Sequence, residues 1–179
     1  MTVYLPPEFG PAGVPPDAKP VDVMMAYQGV REIGGPNRGP WIDEVLRFVG
    51  LEPAGPDAPP GGYPWCCAAL VWCAHKGGVD LPRTALVAHL WRGVADRRID
   101  QLEPGCGFVH LLPGGVHGHT GFVLREDRVG NVLTLSGNTN GAGSRNGDRV
   151  GIVTHPRSYI LDNGGGFFHM RPEPPEGVG

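Results

Sequence analysis

Three short segments carry side chains suited to nucleophilic chemistry, in the order cysteine, histidine, asparagine. The first is Tyr63-Pro64-Trp65-Cys66-Cys67-Ala68-Ala69-Leu70-Val71-Trp72-Cys73. A glycine-rich loop and a proline deliver a cysteine to the start of an apolar helix. A free thiol has a pKa of about 8.5, and a helix N-terminus or a histidinium lowers it. The thiolate is the nucleophile, so the expectation is a Cys66 partly activated by the backbone alone. The second segment is Val116-His117-Gly118-His119-Thr120-Gly121-Phe122-Val123. A histidine at a strand edge between glycines is open on the side from which a substrate approaches. It can hold a thiolate as an ion pair and then protonate a leaving amine. The third segment, Leu135-Ser136-Gly137-Asn138-Thr139-Asn140, ends the next strand. An amide oxygen at Asn138 can accept a hydrogen bond from one ring nitrogen and so fix tautomer and orientation.

Each segment alone has a plainer explanation. Cysteine is among the most often buried residues, so Cys67 and Cys73 read as core. A histidine beside glycines is usually a surface loop residue, and Asn followed by Thr is usually a turn. The argument rests on all three in order. Metal binding is the competing chemistry, since Cys66, Cys67, Cys73, Cys106, His110, His117 and His119 are all potential ligands. No Cys-x-x-Cys occurs, and adjacent cysteines chelate poorly. His117 and His119 on a strand point to one face, however, and paired histidines with one cysteine are a zinc pattern. The cysteine–histidine reading needs no metal and no cofactor.

The elements that must position these groups follow from periodicity and breakers. A helix is expected from Val21 to Ile33, stopped by Gly34-Gly35-Pro36. A second opens on Pro40, carries Ile42, Val45, Leu46 and Val49 on one face, and ends at Gly50. A third runs from Trp65 or Cys66 to Lys76, before Gly77-Gly78. A fourth, N-capped by Thr84, covers Ala85 to Gly93. Strands are expected at Cys106–Leu112, Gly121–Arg125, Val132–Leu135, Val150–Thr154 and Gly166–Met170, with a hairpin loop at Glu126–Asn131. Helices first and strands afterwards argue an α+β domain with an antiparallel sheet.

Composition bounds the rest. The chain has 179 residues, one domain's worth, and 40% are hydrophobic. Glycine (30) and proline (20) exceed a quarter of the chain, which predicts a loop-rich domain. The expected organisation is a Pro-rich arm over residues 1–20, one catalytic domain over 21–170 and a tail over 171–179. Fifteen basic residues face 18 acidic ones, without a basic stripe, so nucleic acid is not an expected partner. The apolar run Trp65–Ala74 is too short for stable membrane insertion. No basic start or apolar h-region marks a secretory signal at the N-terminus. The four cysteines form no spread disulfide framework, which fits synthesis in a reducing compartment.

These segments also resemble a known family. Pro64 to Cys73 looks like the nucleophile segment of the CHAP domain, a branch of the NlpC/P60-type cysteine peptidases. Gly118-His119-Thr120-Gly121-Phe122-Val123 is similar to the family's histidine strand, and Ser136-Gly137-Asn138 falls at its polar third residue. Leu102 to Val109 resembles the strand between them, with Cys106 where an aspartate is usual. Gly29 to Leu51, with Asn37-Arg38-Gly39-Pro40, is similar to the lead-in of phage and bacterial relatives. The likeness covers residues 21–155. Alignment on the two tryptophans selects Cys66 rather than Cys67. Ser136 stands where many relatives carry a glutamate, and no Asp-rich calcium loop is present.

The resemblance implies a papain-like fold, N-terminal helices packed on a C-terminal antiparallel sheet, with a Cys-His-Asn order of groups. It implies a peptidoglycan amide hydrolase, an endopeptidase or an N-acetylmuramoyl-L-alanine amidase. Cys66 would be the nucleophile, His119 the proton carrier and Asn138 its orienting partner. The substrate-binding set is Tyr63 and Trp65 at the floor, Cys67 as an oxyanion donor, His117 at the wall, and Ser136. The Gly141–Arg149 loop is a further wall. Peptidoglycan is the implied partner, with a holin, phage particle, secretion machinery or immunity protein as accessory ones. Action in the periplasm or extracellular wall is implied, after cytoplasmic synthesis, as for an endolysin or an interbacterial effector. The alternatives are a zinc-dependent hydrolase and a catalytically silent wall-binding or structural module.

Overall fold

Proline and glycine set the limits of the helices. In the computed structural model, which describes residues 17–140 and 147–171, five helices form: Pro20–Ala26 (α1), Pro40–Phe48 (α2), Cys66–Lys76 (α3), Val87–Gly93 (α4) and Arg157–Leu161 (α5). Pro40 is the first residue of α2, where its missing N–H costs nothing. Gly78, at φ +77°, ends α3: its N–H reaches the His75 carbonyl and the next N–H, of Val79, reaches that of Ala74. That pair of bonds satisfies carbonyls the helix leaves open.

α3 lies at the centre because it is apolar all round. Every residue from Cys66 to Ala74 is buried, and such a helix must be wrapped on all sides. α1 and α2 cover one side through an aromatic cluster. Tyr27 stacks on Trp41 at 4.4 Å, and Trp41 meets both Trp65 and Trp72 edge-on, at 5.9 and 5.8 Å. The two tryptophans of α3's segment are tied down at their polar ends, Trp65 Nε1 to Glu32 and Trp72 Nε1 to Glu44, each at 3.1 Å.

The other side of α3 faces a six-stranded sheet. Its strands are Arg98–Ile99 (β1), Gly107–Leu111 (β2), Gly118–Glu126 (β3), Asn131–Thr139 (β4), Arg149–Pro156 (β5) and Gly166–Phe168 (β6). They lie in the order β1-β6-β2-β3-β4-β5, every pair antiparallel. The fold is therefore α+β, with α1 to α4 before the strands and α5 between β5 and β6. The β3–β4 turn is built by Asp127, whose Oδ1 accepts the N–H of Val129 and of Asn131, both at 2.9 Å. Strand alternation divides the sheet into two faces. Val109, Leu111, Phe122, Leu135 and Val150 pack with α3 and α4, while Phe108, Val123, Val132 and Phe167 pack with Ile160 of α5.

Two helix expectations are corrected. The first helix ends at Ala26, not Ile33, because the chain beyond it pairs with β5. The Gly29 N–H donates to the Val150 carbonyl, the Val150 N–H to Val30, and the Glu32 N–H to Asp148. Gly29 supplies the turn into that ladder with φ +87°. The fourth helix begins at Val87 rather than Ala85. Thr84 does not cap it; its hydroxyl accepts the Leu86 N–H at 3.0 Å in a turn before the helix. α5 and the two-residue β1 are absent from the sequence expectations, being too short to show a period. The expected arm lies outside the described residues up to position 16, whereas Ala18 and Pro20 are buried. The tail from 172 also lies outside them. No described helix is long and apolar enough to cross a membrane.

Candidate active site

The site forms where β4 leaves β3. The two strands pair from Glu126↔Val132 to Phe122↔Leu135 and no further, and β4 shifts register against β5 between Ser136 and Thr139. Asn138 sits in that irregular stretch with φ +54°. The start of α3 closes against it. Gly137 is required here, because a Cβ at that position would lie 2.5 Å from Trp65 and 3.0 Å from the Ala69 Cβ. This close approach brings Cys66, the first residue of α3, to the backbone of β3.

Cys66, His119 and Asn138 line one cavity of about 750 Å³. The Cys66 sulfur faces the N–H of Thr120, next in the chain to His119, and its own N–H and that of Cys67 also favour the ionised form. Burial outweighs all three and pushes the thiol up to about 11. The expected lowering at a helix start is thus reversed by desolvation. His119 moves the other way: burial first, then the neighbouring His155 and His110, pushes it down to about 4. At neutral pH both groups rest uncharged.

The imidazole takes a different partner from the one expected. His119 Nε2 lies 2.9 Å from the hydroxyl of Ser136, and not against Asn138. Asn138 is 4% exposed, and its Oδ1 is buried with no hydrogen-bond partner among the described residues. Strand alternation explains the choice. His119 pairs with His110 across β2–β3 and sits near Phe108, ring centroids 6.0 Å apart, so it stands on the α5 face. Ser136 shares that parity on β4. Cys66 reaches the cavity from α3's side, so the two groups approach around the end of the sheet. No hydrogen bond joins them.

The remaining expected site residues divide. Tyr63 and His117 line the cavity. Trp65 does not: it is fully buried in the aromatic cluster. Cys67 is also fully buried, its thiol donating to the Thr84 carbonyl at 3.2 Å. Ser136 does not line the cavity; it contacts the His119 ring. Of the Gly141–Arg149 wall, residues 141–146 lie outside the described residues.

The cavity residues outside the expected set include His110, His155 and Tyr159. Tyr159 stacks between His110 at 3.9 Å and His155 at 4.6 Å, both nearly parallel to it. His110 was legible only as a possible metal ligand, and its in-register position opposite His119 requires the sheet. His155 and Tyr159 belong to the β5–α5 corner, which carries no motif. Among the described residues, no three His, Cys, Asp or Glu side chains converge as a metal-holding group. No family model matches the chain, and neither a curated protein nor a solved structure does.

Proposed function

We propose that the chain is a cysteine-dependent peptidoglycan amide hydrolase of the CHAP or NlpC/P60 kind, with a papain-like arrangement of helix and sheet. The observation that carries this reading is the single cavity lined by Cys66, His119 and Asn138. The bond cleaved is an amide within the stem or cross-bridge, or the one joining muramic acid to L-Ala.

The neutral resting pair sets the sequence of proton transfers. In the substrate complex the thiol and imidazole come within hydrogen-bond reach, and the Cys66 proton passes to His119 as sulfur attacks the carbonyl carbon. The backbone N–H groups at the start of α3 stabilise the oxyanion. His119 then gives its proton to the amine nitrogen as the C–N bond breaks, leaving an acyl thioester. Water gives a proton to His119 and attacks the thioester carbon. The C–S bond breaks, and the sulfur recovers its proton from the imidazolium. Ser136 holds the ring throughout the resting state. The enzyme acts at the wall, in the periplasm or outside the cell, delivered by lysis, a phage particle or secretion machinery.

A second reading is a catalytically silent wall-binding module. One observation favours it: Cys66 and His119 share a cavity without sharing a hydrogen bond, and both are neutral. Purified sacculi separate the two. Wild type and Cys67→Ala release soluble fragments under the hydrolase reading, and Cys66→Ala does not. Mass spectrometry of the fragments identifies the bond. Equal lysis by Cys66→Ala, or none by wild type, overturns the reading.

A further inference from the structure

An unbroken chain segment, Arg83-Thr84-Ala85-Leu86-Val87, lines the cavity at every residue. This segment is fixed beside the nucleophile. The Cys67 thiol donates to the Thr84 carbonyl at 3.2 Å, which ties the segment to the first turn of α3, one residue from Cys66. The Thr84 hydroxyl also accepts the Leu86 N–H, which forms a local turn from Thr84 to Leu86. Arg83 is therefore one residue, about 3.8 Å between Cα atoms, from a carbonyl anchored to the first turn of α3.

Charge singles out Arg83. Among the described residues that line the cavity, it is the one lysine or arginine, and no aspartate or glutamate lines it. Arg83 forms no ion pair with any described carboxylate. Its guanidinium instead lies over the Phe48 ring, 4.5 Å from the centroid. Stacking on a ring holds the guanidinium plane while leaving its edge donors open, and a fork of this kind matches a carboxylate. Val49, Leu51, Pro59 and Leu86 give the same cavity apolar lining.

We infer that Arg83 and this lining form a specificity subsite for a peptide acid: a free carboxylate on the guanidinium, with a short aliphatic side chain against Val49, Leu51 and Leu86. Only the assignment of the scissile bond to Cys66 rests on the hydrolase reading; recognition of the acid does not. The subsite selects segments that end in, or branch to, an unamidated carboxylate, and discriminates against their carboxamides.

The test measures binding and turnover separately. An N-acetylated alanine tripeptide, as the free acid and as the C-terminal carboxamide, is titrated by calorimetry into Cys66→Ala protein. The acid binds roughly tenfold more tightly than the amide, as a charge-assisted fork requires. That preference shrinks as salt is raised. Arg83→Gln levels the two ligands, and Arg83→Lys restores part of the difference. Equal binding of acid and amide, survival of the preference in Arg83→Gln, or no detectable binding of the acid overturns the subsite. Sacculus hydrolysis by wild type, lost in Cys66→Ala, is scored independently. Hydrolysis without an acid preference sinks the subsite alone, and an acid preference without hydrolysis sinks the enzymatic reading alone.

Discussion

The His119 imidazole is held by the Ser136 hydroxyl, Nε2 to Oγ at 2.9 Å, across the point where β4 parts from β3. Asn138, two residues further on, is buried with an Oδ1 unsatisfied among the described residues and a left-handed backbone. The two residues therefore answer to mutation differently. Under the proposed hydrolase reading, Ser136→Ala frees the ring and lowers kcat by roughly tenfold or more with KM little changed, because misorientation of the proton carrier would act on the transition state. Asn138→Gly relieves a left-handed φ, worth about 1 kcal/mol, and removes an orphan acceptor. Its urea midpoint stays level or rises. A Ser136→Ala enzyme with unchanged kcat would remove the positioning role.

Acid weakens the fold through its buried histidines. His119 is pushed down to about 4, and burial followed by His110 also lowers His155. Below pH 6.5 the unfolded chain binds protons that the folded one refuses. The associated stability is complete above that pH and is lost as pH falls toward 4. For His119 the loss reaches about 3 kcal/mol at most. Urea midpoints measured from pH 7 to pH 5 report it, in a window above the titration of Asp43, Glu103 and Asp127, whose pKa values are all lowered. A flat profile over that window counts against the buried neutral imidazole.

Thiol reactivity follows the same logic with the opposite sign. With the Cys66 thiol at about 11, only ~10⁻⁴ of it is ionised at pH 7. Iodoacetamide therefore labels Cys66 slowly at neutral pH in the absence of substrate, and faster as pH passes 9. Peptide mapping by mass spectrometry assigns the site, since Cys106 is raised to about 11 as well. Rapid labelling of Cys66 at pH 7, abolished by His119→Ala, would show that the thiolate–imidazolium pair forms in the free protein.

Gly137→Ala tests the contact that builds the site. The added methyl would meet Trp65 at 2.5 and 2.8 Å and the Ala69 Cβ at 3.0 Å. Neither partner can yield, since Trp65 is fixed by Glu32 and the aromatic cluster. Overpacking of this kind destabilises by about 1–3 kcal/mol. The melting temperature falls, and any hydrolytic activity falls with it as α3 is pushed from β4. An unchanged melting temperature would contradict the close approach.

Much of this arrangement is legible in the residues themselves. An eleven-residue helix beginning at Cys66 is written in its apolar run and in the Gly77-Gly78 stop. α2 is written in Pro40 and its period, and the antiparallel order in short strands and turn residues. Local rules suffice there because each signal spans neighbours in the chain. The end of α1 was not legible, because Gly29 to Glu32 bond to Asp148 and Val150, more than a hundred residues away.

The chain alone put Cys66 at a helix start and His119 and Asn138 near the ends of neighbouring strands, and these three residues line one cavity. The folded structure decided what those residues are. Strand parity sent His119 toward Ser136 rather than Asn138, and packing of Trp65 against Trp41 removed it from the cavity. Burial, which no local spacing reports, overrode the helix N-terminus and left both the thiol and the imidazole neutral. Parity, packing and desolvation depend on the whole enclosure of a side chain, so only the assembled fold could set them.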